Sequence, residues 1–289
     1  MAGELVIAMR PRRWLKNLFM FAALIFGIKL SDPVLVARSV VAFACLCLLA
    51  SAAYLINDLV DMERDRLHPA KRKRPLPAGK LQRSWALGGA IVLGSVGLSV
   101  AFILGGRFAL VCAVFLAVEI GYSLFFTNYV ILDVMIIALA FILRVVAGSV
   151  IAEATTFSPW LYVCASFLAL FLALCKRRHE LLVLGDLAPR HRKVLGDYSS
   201  ALLVQMVSVV TSSTLIAYSL FTFWGAHVPE NKSMMLTIPF VLYGMFRYLL
   251  LMQRADLPGS AEEMLIRDPP LVVNNLLWGA AVLAILYLF

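Results

Sequence analysis

The sequence predicts an all-α, multi-pass transmembrane helical bundle of about nine spans. Three observations carry this expectation. Of the 289 residues, 62% are apolar and 15% charged, where soluble domains run at roughly 45–50% and 25%. The apolar residues fall in long blocks, each near the roughly 20 residues a helix needs to cross a bilayer. The basic residues gather on alternate connections between the blocks.

The blocks run at roughly 14–32, 34–56, 84–104, 107–127, 132–152, 159–175, 200–225, 234–253 and 271–289. The first follows Arg10-Pro11-Arg12-Arg13 but lacks a persuasive signal-cleavage site, so Trp14, Lys16 and Asn17 read as part of a retained span. Little more than Ser31-Asp32-Pro33 separates it from the second. The segments 57–83, 176–199 and 254–270 are rich in charge, whereas the connections 151–158 and 226–233 are short. No soluble domain is appended, so residues 1–289 read as a single integral membrane catalytic domain. Cys45, Cys47, Cys112, Cys164 and Cys175 lie in apolar spans without metal spacing and read as packing residues.

With the N-terminus inside, the inner segments hold Arg10, Arg12, Arg13, Lys16, the Arg64–Arg83 group, Lys176–Arg178, Arg190–Lys193, Arg254 and Arg267. The outer side holds Lys29, Arg38, Arg107 and Lys232. This positive-inside asymmetry places the N-terminus and the polar chemistry on the cytoplasmic face of a cell membrane. It also accounts for most of the net charge of +9 and makes nucleic-acid binding a poor reading.

The most informative segment is Asn57-Asp58-Leu59-Val60-Asp61-Met62-Glu63-Arg64-Asp65, followed by Lys71-Arg72-Lys73-Arg74-Pro75. Asp58, Asp61 and Asp65 are spaced i, i+3, i+7 and share one helix face at a membrane boundary, with Asn57 beside Asp61. Like charges there repel unless a cation sits among them. Mg²⁺ is the natural candidate, since it takes one or two carboxylates and completes its shell with water and phosphate oxygens. Lys71, Arg72 and Arg74 supply charge for phosphates that the metal leaves uncompensated. The bland alternative is a solvated helix end followed by a topology signal.

This motif resembles the first signature of the UbiA superfamily of intramembrane prenyltransferases and, within it, the decaprenyl-phosphate phosphoribosyltransferase branch. The likeness extends to Arg10-Pro-Arg-Arg-Trp14-Leu-Lys16-Asn17, His68-Pro-x-Lys71-Arg72-x-Arg74-Pro75, Leu132-Asp133 and Arg144-x-x-Ala147-Gly148. Lys176-Arg177-x-x-Glu180-Leu181 and Arg192-Lys193 with Tyr198 complete it, so it covers about residues 8–268.

Ordinary members carry a second aspartate-rich motif, and this chain has none. Lys176, Arg177, Arg178, His179 and Glu180 stand in that part of the sequence instead. The resemblance implies transfer of a 5-phosphoribosyl group from phosphoribosyl diphosphate to a polyprenyl phosphate at the inner face of a bacterial cytoplasmic membrane. Asp58, Asp61 and Asp65 would hold Mg²⁺ on the diphosphate. Asp133 or Glu180 would stabilise an oxocarbenium-like ribose, by analogy with glycoside chemistry. Lys71, Arg72 and Arg74 would bind one phosphorylated substrate, and Lys176, Arg177 and Lys16 the other, with Asn17, Asn57, Tyr122, Arg144, Arg192 and Lys193 as further substrate-binding candidates. Homo-oligomer formation stays open.

Arg144 lies mid-span, where a charge needs a partner or a polar cavity. Glu119, with Tyr122 one turn on, is the expected partner, either for substrate binding or to lock helices together. Snorkelling accounts for Arg247. His68 and His179 lack metal spacing and read as structural, and Glu262, Glu263, Arg267 and Asp268 either cap the pocket or are solvated. Two other functions fit parts of the pattern: an aromatic prenyltransferase with a prenyl diphosphate donor, and a transporter with charges near the midplane.

Overall fold

The computed structural model describes residues 2–66, 71–153, 158–185, 188, 192–253 and 267–288. His68, Glu262 and Glu263 lie outside the described residues. Every regular element among the described residues is helical, and eight helices are long and apolar enough to cross a membrane. The chain divides into two compact units. The first comprises Met1–Leu24, Lys29–Ile136 and Leu143–Ala154, and the second Ile25–Ile28, Ile137–Ile142 and Thr155–Phe289.

The first unit is built on α3 (Pro33–Val60), 28 residues long. Asp32 starts it, accepting at Oδ1 from the amides of Val34 (2.9 Å) and Leu35 (3.1 Å), with Pro33 in the first turn where its missing N–H costs nothing. Its main partner is α5 (Arg83–Leu104). Ala86, Ala90, Gly94, Gly97 and Ala101 recur every three or four residues on α5 and are all buried. Small residues at that spacing let two backbones approach, and packing replaces the hydrophobic drive that lipid removes. At the closest point the Cys45 thiol meets the Gly97 carbonyl oxygen at 3.0 Å. Helices α6 (Gly106–Leu124) and α7 (Leu132–Ile151) follow.

At the other end of α3, α1 (Ala2–Ala8) and the turn through Leu76 and Leu81 close a small core. Ala8, Leu55, Met62, Leu76, Leu81, Ala86 and Ala90 are its buried members. This core holds the backbone on either side of the acidic motif.

The structure departs from the nine expected spans at the first. In place of one long helix there is an 11-residue 3-10 helix, Pro11–Phe21, running into the short α2 (Ala22–Phe26). The physical reason lies in the neighbouring helices. In a 3-10 helix, side chains at i and i+3 eclipse, and three residues rise about 6 Å, the same as four residues of an α-helix. Trp14 Nε1 donates to Ser51 Oγ (3.0 Å), and three residues on Asn17 Nδ2 donates to Cys47 Sγ (3.2 Å), four residues back along α3. On α7, Asn17 takes a bond from Arg144, and three residues on Met20 lies against Gly148, four residues along. The 3-10 period thus matches the α period on both sides, and an α-helical Pro11–Phe21 would rotate two of its three contact residues away.

The second unit packs α8 (Pro159–Leu184) chiefly against α10 (Ser200–Trp224), with α9 (Val194–Asp197) between them in the chain. Helix α8 runs nine residues beyond the expected apolar block, because Lys176–Glu180 continue as good helix formers with an internal ion pair. On α10, Ser208, Thr211, Ser213, Thr214 and Ser219 return their hydroxyls to carbonyls four residues back, which satisfies them without water. Helices α11 (Ile238–Met252) and α12 (Pro269–Leu288) complete the unit. Arg247 does not simply snorkel: it makes a two-point pair with Asp268, at 3.0 and 2.8 Å, and Asp268 also caps α12 through the Leu271 amide.

Candidate active site

The acidic motif sits where α3 ends. Asp61 follows the last residue of α3, with a local bend before α4 (Met62–Arg66), yet helical hydrogen bonding continues through it. The Asp61 amide reaches the Asn57 carbonyl (2.9 Å) and the Asp65 amide reaches that of Asp61 (2.8 Å). The i, i+3, i+7 spacing therefore keeps the geometry of one helical face.

Asp58 is 1% exposed and Asp65 is 3% exposed, far too buried to stand as bare charges. Guanidinium groups accompany them. Arg74 Nη1 donates to Asp65 Oδ2 at 2.5 Å and to Asp58 Oδ1 at 3.2 Å, so one nitrogen lies between the two carboxylates. Arg10 Nη2 donates to the same Asp58 Oδ1. Lys71 Nζ stands 4.0 Å from Asp65 Oδ1. Asp58 Oδ2 is buried and has no hydrogen-bond partner among the described residues.

Arg10 is the residue that sequence reasoning left out of the site. It sits in the left-handed region (φ 55°, ψ 60°) between α1 and the 3-10 helix, an uncommon place for a long side chain. Its guanidinium and that of Arg13 lie 5.3 and 5.5 Å from the centre of the Tyr54 ring, one turn before Asp58. Burial pushes Arg10 down to about 9, Arg13 adds to that, and Asp58 opposes it. The group thus remains charged at neutral pH. In the sequence Arg10 opens the basic run before Trp14, where the positive-inside pattern accounts for its charge and the family likeness includes it without giving it a role.

Asp61 is less buried than its neighbours and faces Arg64 (3.1 Å) and Asn57 (3.4 Å). Asn57 also donates to Ser123 Oγ at 3.1 Å, joining the motif to α6. Arg72 is exposed, and Lys16 and Tyr122 are half-buried. Asp133 is fully buried in the first turn of α7.

Arg144 and Asn17 form a separate buried group. Arg144 Nε donates to Asn17 Oδ1 (2.8 Å), Nη2 donates to Glu119 Oε1 (3.1 Å), and the guanidinium lies 4.6 Å from the Phe115 ring centre. The expected Glu119 partner is present. Asn17, which the sequence offered for substrate, has both ends of its amide engaged, with Arg144 and with Cys47.

In the second unit, Arg177 is fully buried and pairs with Glu180 Oε2 at 2.6 Å. Lys176 and His179 are half-buried on the same helix, as is Arg192 beyond it, and Lys193 is exposed.

The fit of a metal here rests on donor chemistry. Among the described residues no three His, Cys, Asp or Glu side chains converge as a metal cage. Mg²⁺ does not require a cage, since one or two carboxylates suffice when water and substrate phosphates complete its shell. The unpartnered, buried Asp58 Oδ2 and the adjacent Asp65 and Asp61 supply such a set. The residues fit the ion.

Comparison with known proteins bears on the family and the fold. The UbiA prenyltransferase family model matches residues 17–267. A protein named decaprenyl-phosphate phosphoribosyltransferase from Mycolicibacterium smegmatis is 31% identical, covering 99% of this chain and 93% of its own. A protein of the same name from Corynebacterium glutamicum is 30% identical, covering 100% and 88%. Among solved structures, a UbiA homolog from Archaeoglobus fulgidus bound to GPP and Mg²⁺ superposes with a TM-score of 0.74 at 19% identity, covering 98% of this chain and 99% of that one. The family model and the near-full-length relatives agree, and the chain belongs to the UbiA prenyltransferase family.

Proposed function

We propose that the chain transfers the 5-phosphoribosyl group of phosphoribosyl diphosphate to a polyprenyl phosphate, with release of diphosphate. The observation that carries this reading is likeness along nearly the whole chain to proteins named for that transfer on decaprenyl phosphate. The sequence adds a second support. Lys176, Arg177 and Arg178 stand where a second acidic, metal-binding motif would serve a prenyl diphosphate donor.

In the reaction, the bond from ribose C1 to the diphosphate oxygen breaks and a bond from C1 to a lipid-phosphate oxygen forms. The lipid phosphate is already an anion at neutral pH, so no strong general base is needed. Asp58 and Asp65, with Asp61 beside them in the sequence, would hold Mg²⁺, whose charge would offset that growing on the departing diphosphate. Lys71, Arg72 and Arg74 bind that end of the donor, and Arg10 holds Asp58 in place. In the second unit Lys176, with Arg192 and Lys193, is the candidate for the second phosphorylated substrate; Lys16 in the first unit is a further phosphate candidate, and Asp133 and Glu180 are the carboxylates proposed for the cationic ribose. Arg177, buried and paired with Glu180, orients that carboxylate. The positive-inside pattern supports placing this chemistry at the cytoplasmic face.

The test is a transfer assay in detergent or liposomes with ribose-labelled phosphoribosyl diphosphate, polyprenyl phosphate and Mg²⁺. Label entering the lipid phase only with all three present supports the reading. No labelled lipid, together with turnover of a prenyl diphosphate and an aromatic acid, overturns it.

A further inference from the structure

The cation between Asp58 and Asp65 belongs to the protein itself. A single nitrogen, Arg74 Nη1, bonds to Asp65 Oδ2 at 2.5 Å and to Asp58 Oδ1 at 3.2 Å. Both carboxylates are buried, so neither can rely on water for charge compensation. A divalent ion that draws on the same two carboxylates would compete with the guanidinium for their negative charge. The arrangement is also incomplete, since Asp58 Oδ2 is buried without a partner. Arginine can donate to these oxygens but satisfies only part of their capacity, which a divalent ion would fill.

The backbone carrying Arg74 is fixed. The Arg74 amide bonds to Lys71 O (3.0 Å), its carbonyl accepts from Ala78 (2.9 Å), and the Lys80 and Leu81 amides both reach Pro75 O. Leu76 and Leu81 are buried in the core that includes Leu55 and Met62. Departure of the guanidinium is therefore a rotation of a long side chain about a held backbone, and requires no opening of the turn.

We propose that Arg74 is the resident cation of the Asp58–Asp65 pair in the metal-free enzyme, and that a divalent ion loads by displacing its guanidinium. The proposal rests on the assignment of a metal to these carboxylates made under the proposed function. It has a consequence for order of binding. Without a phosphorylated substrate, the displaced guanidinium loses its partners and metal loading is opposed. With one, the guanidinium finds an anion, and the two events favour each other.

The test measures metal binding directly, with no substrate and no turnover. Purified full-length protein in detergent is titrated with Mn²⁺ alone, and free Mn²⁺ is counted by electron paramagnetic resonance. Arg74→Gln is expected to bind Mn²⁺ at least tenfold more tightly than wild type, and Arg74→Lys to fall between. Arg72→Gln, an exposed charge removed from the same segment, is expected to change affinity less than threefold, which separates bridging from general electrostatics. The melting temperature of Arg74→Gln should be lower than wild type in EDTA and should recover in saturating Mn²⁺, which also shows that the variant is folded. Equal or weaker Mn²⁺ binding by folded Arg74→Gln and Arg74→Lys overturns the exchange and leaves the metal assignment standing. Absence of Mn²⁺ binding in wild type and both Arg74 variants overturns the metal assignment itself.

Discussion

Arg144 Nε donates to Asn17 Oδ1 at 2.8 Å across 127 residues of sequence, and this bond ties the 3-10 helix to α7. The same guanidinium reaches Glu119, so three helical elements meet on one side chain. Its absence leaves a buried amide and a carboxylate without their partner. Asn17→Ala should lower stability by about 1–3 kcal/mol, the usual range for an orphaned buried donor or acceptor. Arg144→Leu should cost more, since it also frees Glu119. Thermal unfolding in detergent checks both, and an unchanged melting temperature in either would show that the bond contributes nothing.

Gly148 makes the second join of the same seam. A Cβ built there would lie 1.8 Å from the Met20 carbonyl oxygen, which is backbone and cannot rotate aside. At Gly97 a Cβ would meet Leu49 side-chain atoms at 2.7 and 2.9 Å, which can shift. Gly148→Ala should therefore abolish the folded monodisperse peak in size-exclusion chromatography. Gly97→Ala should keep that peak at a cost of about 1–3 kcal/mol, as for overpacking elsewhere. Equal behaviour of the two would contradict the close approach.

The aspartates differ in surroundings, so their asparagine variants should differ in stability and agree in activity. Asp58→Asn removes the negative charge that Arg10 and Arg74 share and places an amide donor beside them, whereas the more exposed Asp61 pairs with Arg64 at the surface. Both should lower turnover at least about 100-fold if each serves charge stabilisation of the leaving group. Asp58→Asn should also lower the melting temperature, and Asp61→Asn should leave it within a degree or two. Full activity in a folded Asp61→Asn protein would remove that residue from the site.

Lys176 is half-buried while Arg177 beside it is fully buried and paired. Lys176→Gln should raise KM for one phosphorylated substrate about tenfold with the other unchanged, and Arg177→Gln should act mainly on stability. Steady-state kinetics with each substrate varied in turn makes the comparison. No change in either KM would take Lys176 out of substrate binding.

Hydropathy made eight of the spans legible, seven of them within about four residues, because each must cross the same bilayer; α8 runs nine residues further on a charged segment that hydropathy does not count. The first block is less apolar, carrying Lys16, Asn17, Lys29 and Asp32, and its 3-10 form depends on matching Ser51, Cys47, Arg144 and Gly148, which no local pattern announces. In hindsight the signal was the three-residue spacing of Trp14, Asn17 and Met20. The acidic motif and Arg74 were legible because charge at a membrane edge demands a reason. The role of Arg10 was not, since its partner Asp58 lies 48 residues away and its own segment looks like a topology signal. Glu119 was anticipated for Arg144 because a mid-span charge needs a partner of opposite sign. Asn17 was missed as a partner because a neutral amide gives no such cue.

The most direct measurement of the central claim is the mass of the lipid product. Incubated with phosphoribosyl diphosphate and Mg²⁺, a polyprenyl phosphate should gain one phosphoribosyl group, giving a lipid with two phosphates, and diphosphate should appear in equal amount. A polyprenyl phosphate of unchanged mass, with a prenyl group instead transferred from a prenyl diphosphate to an aromatic acceptor, would contradict it.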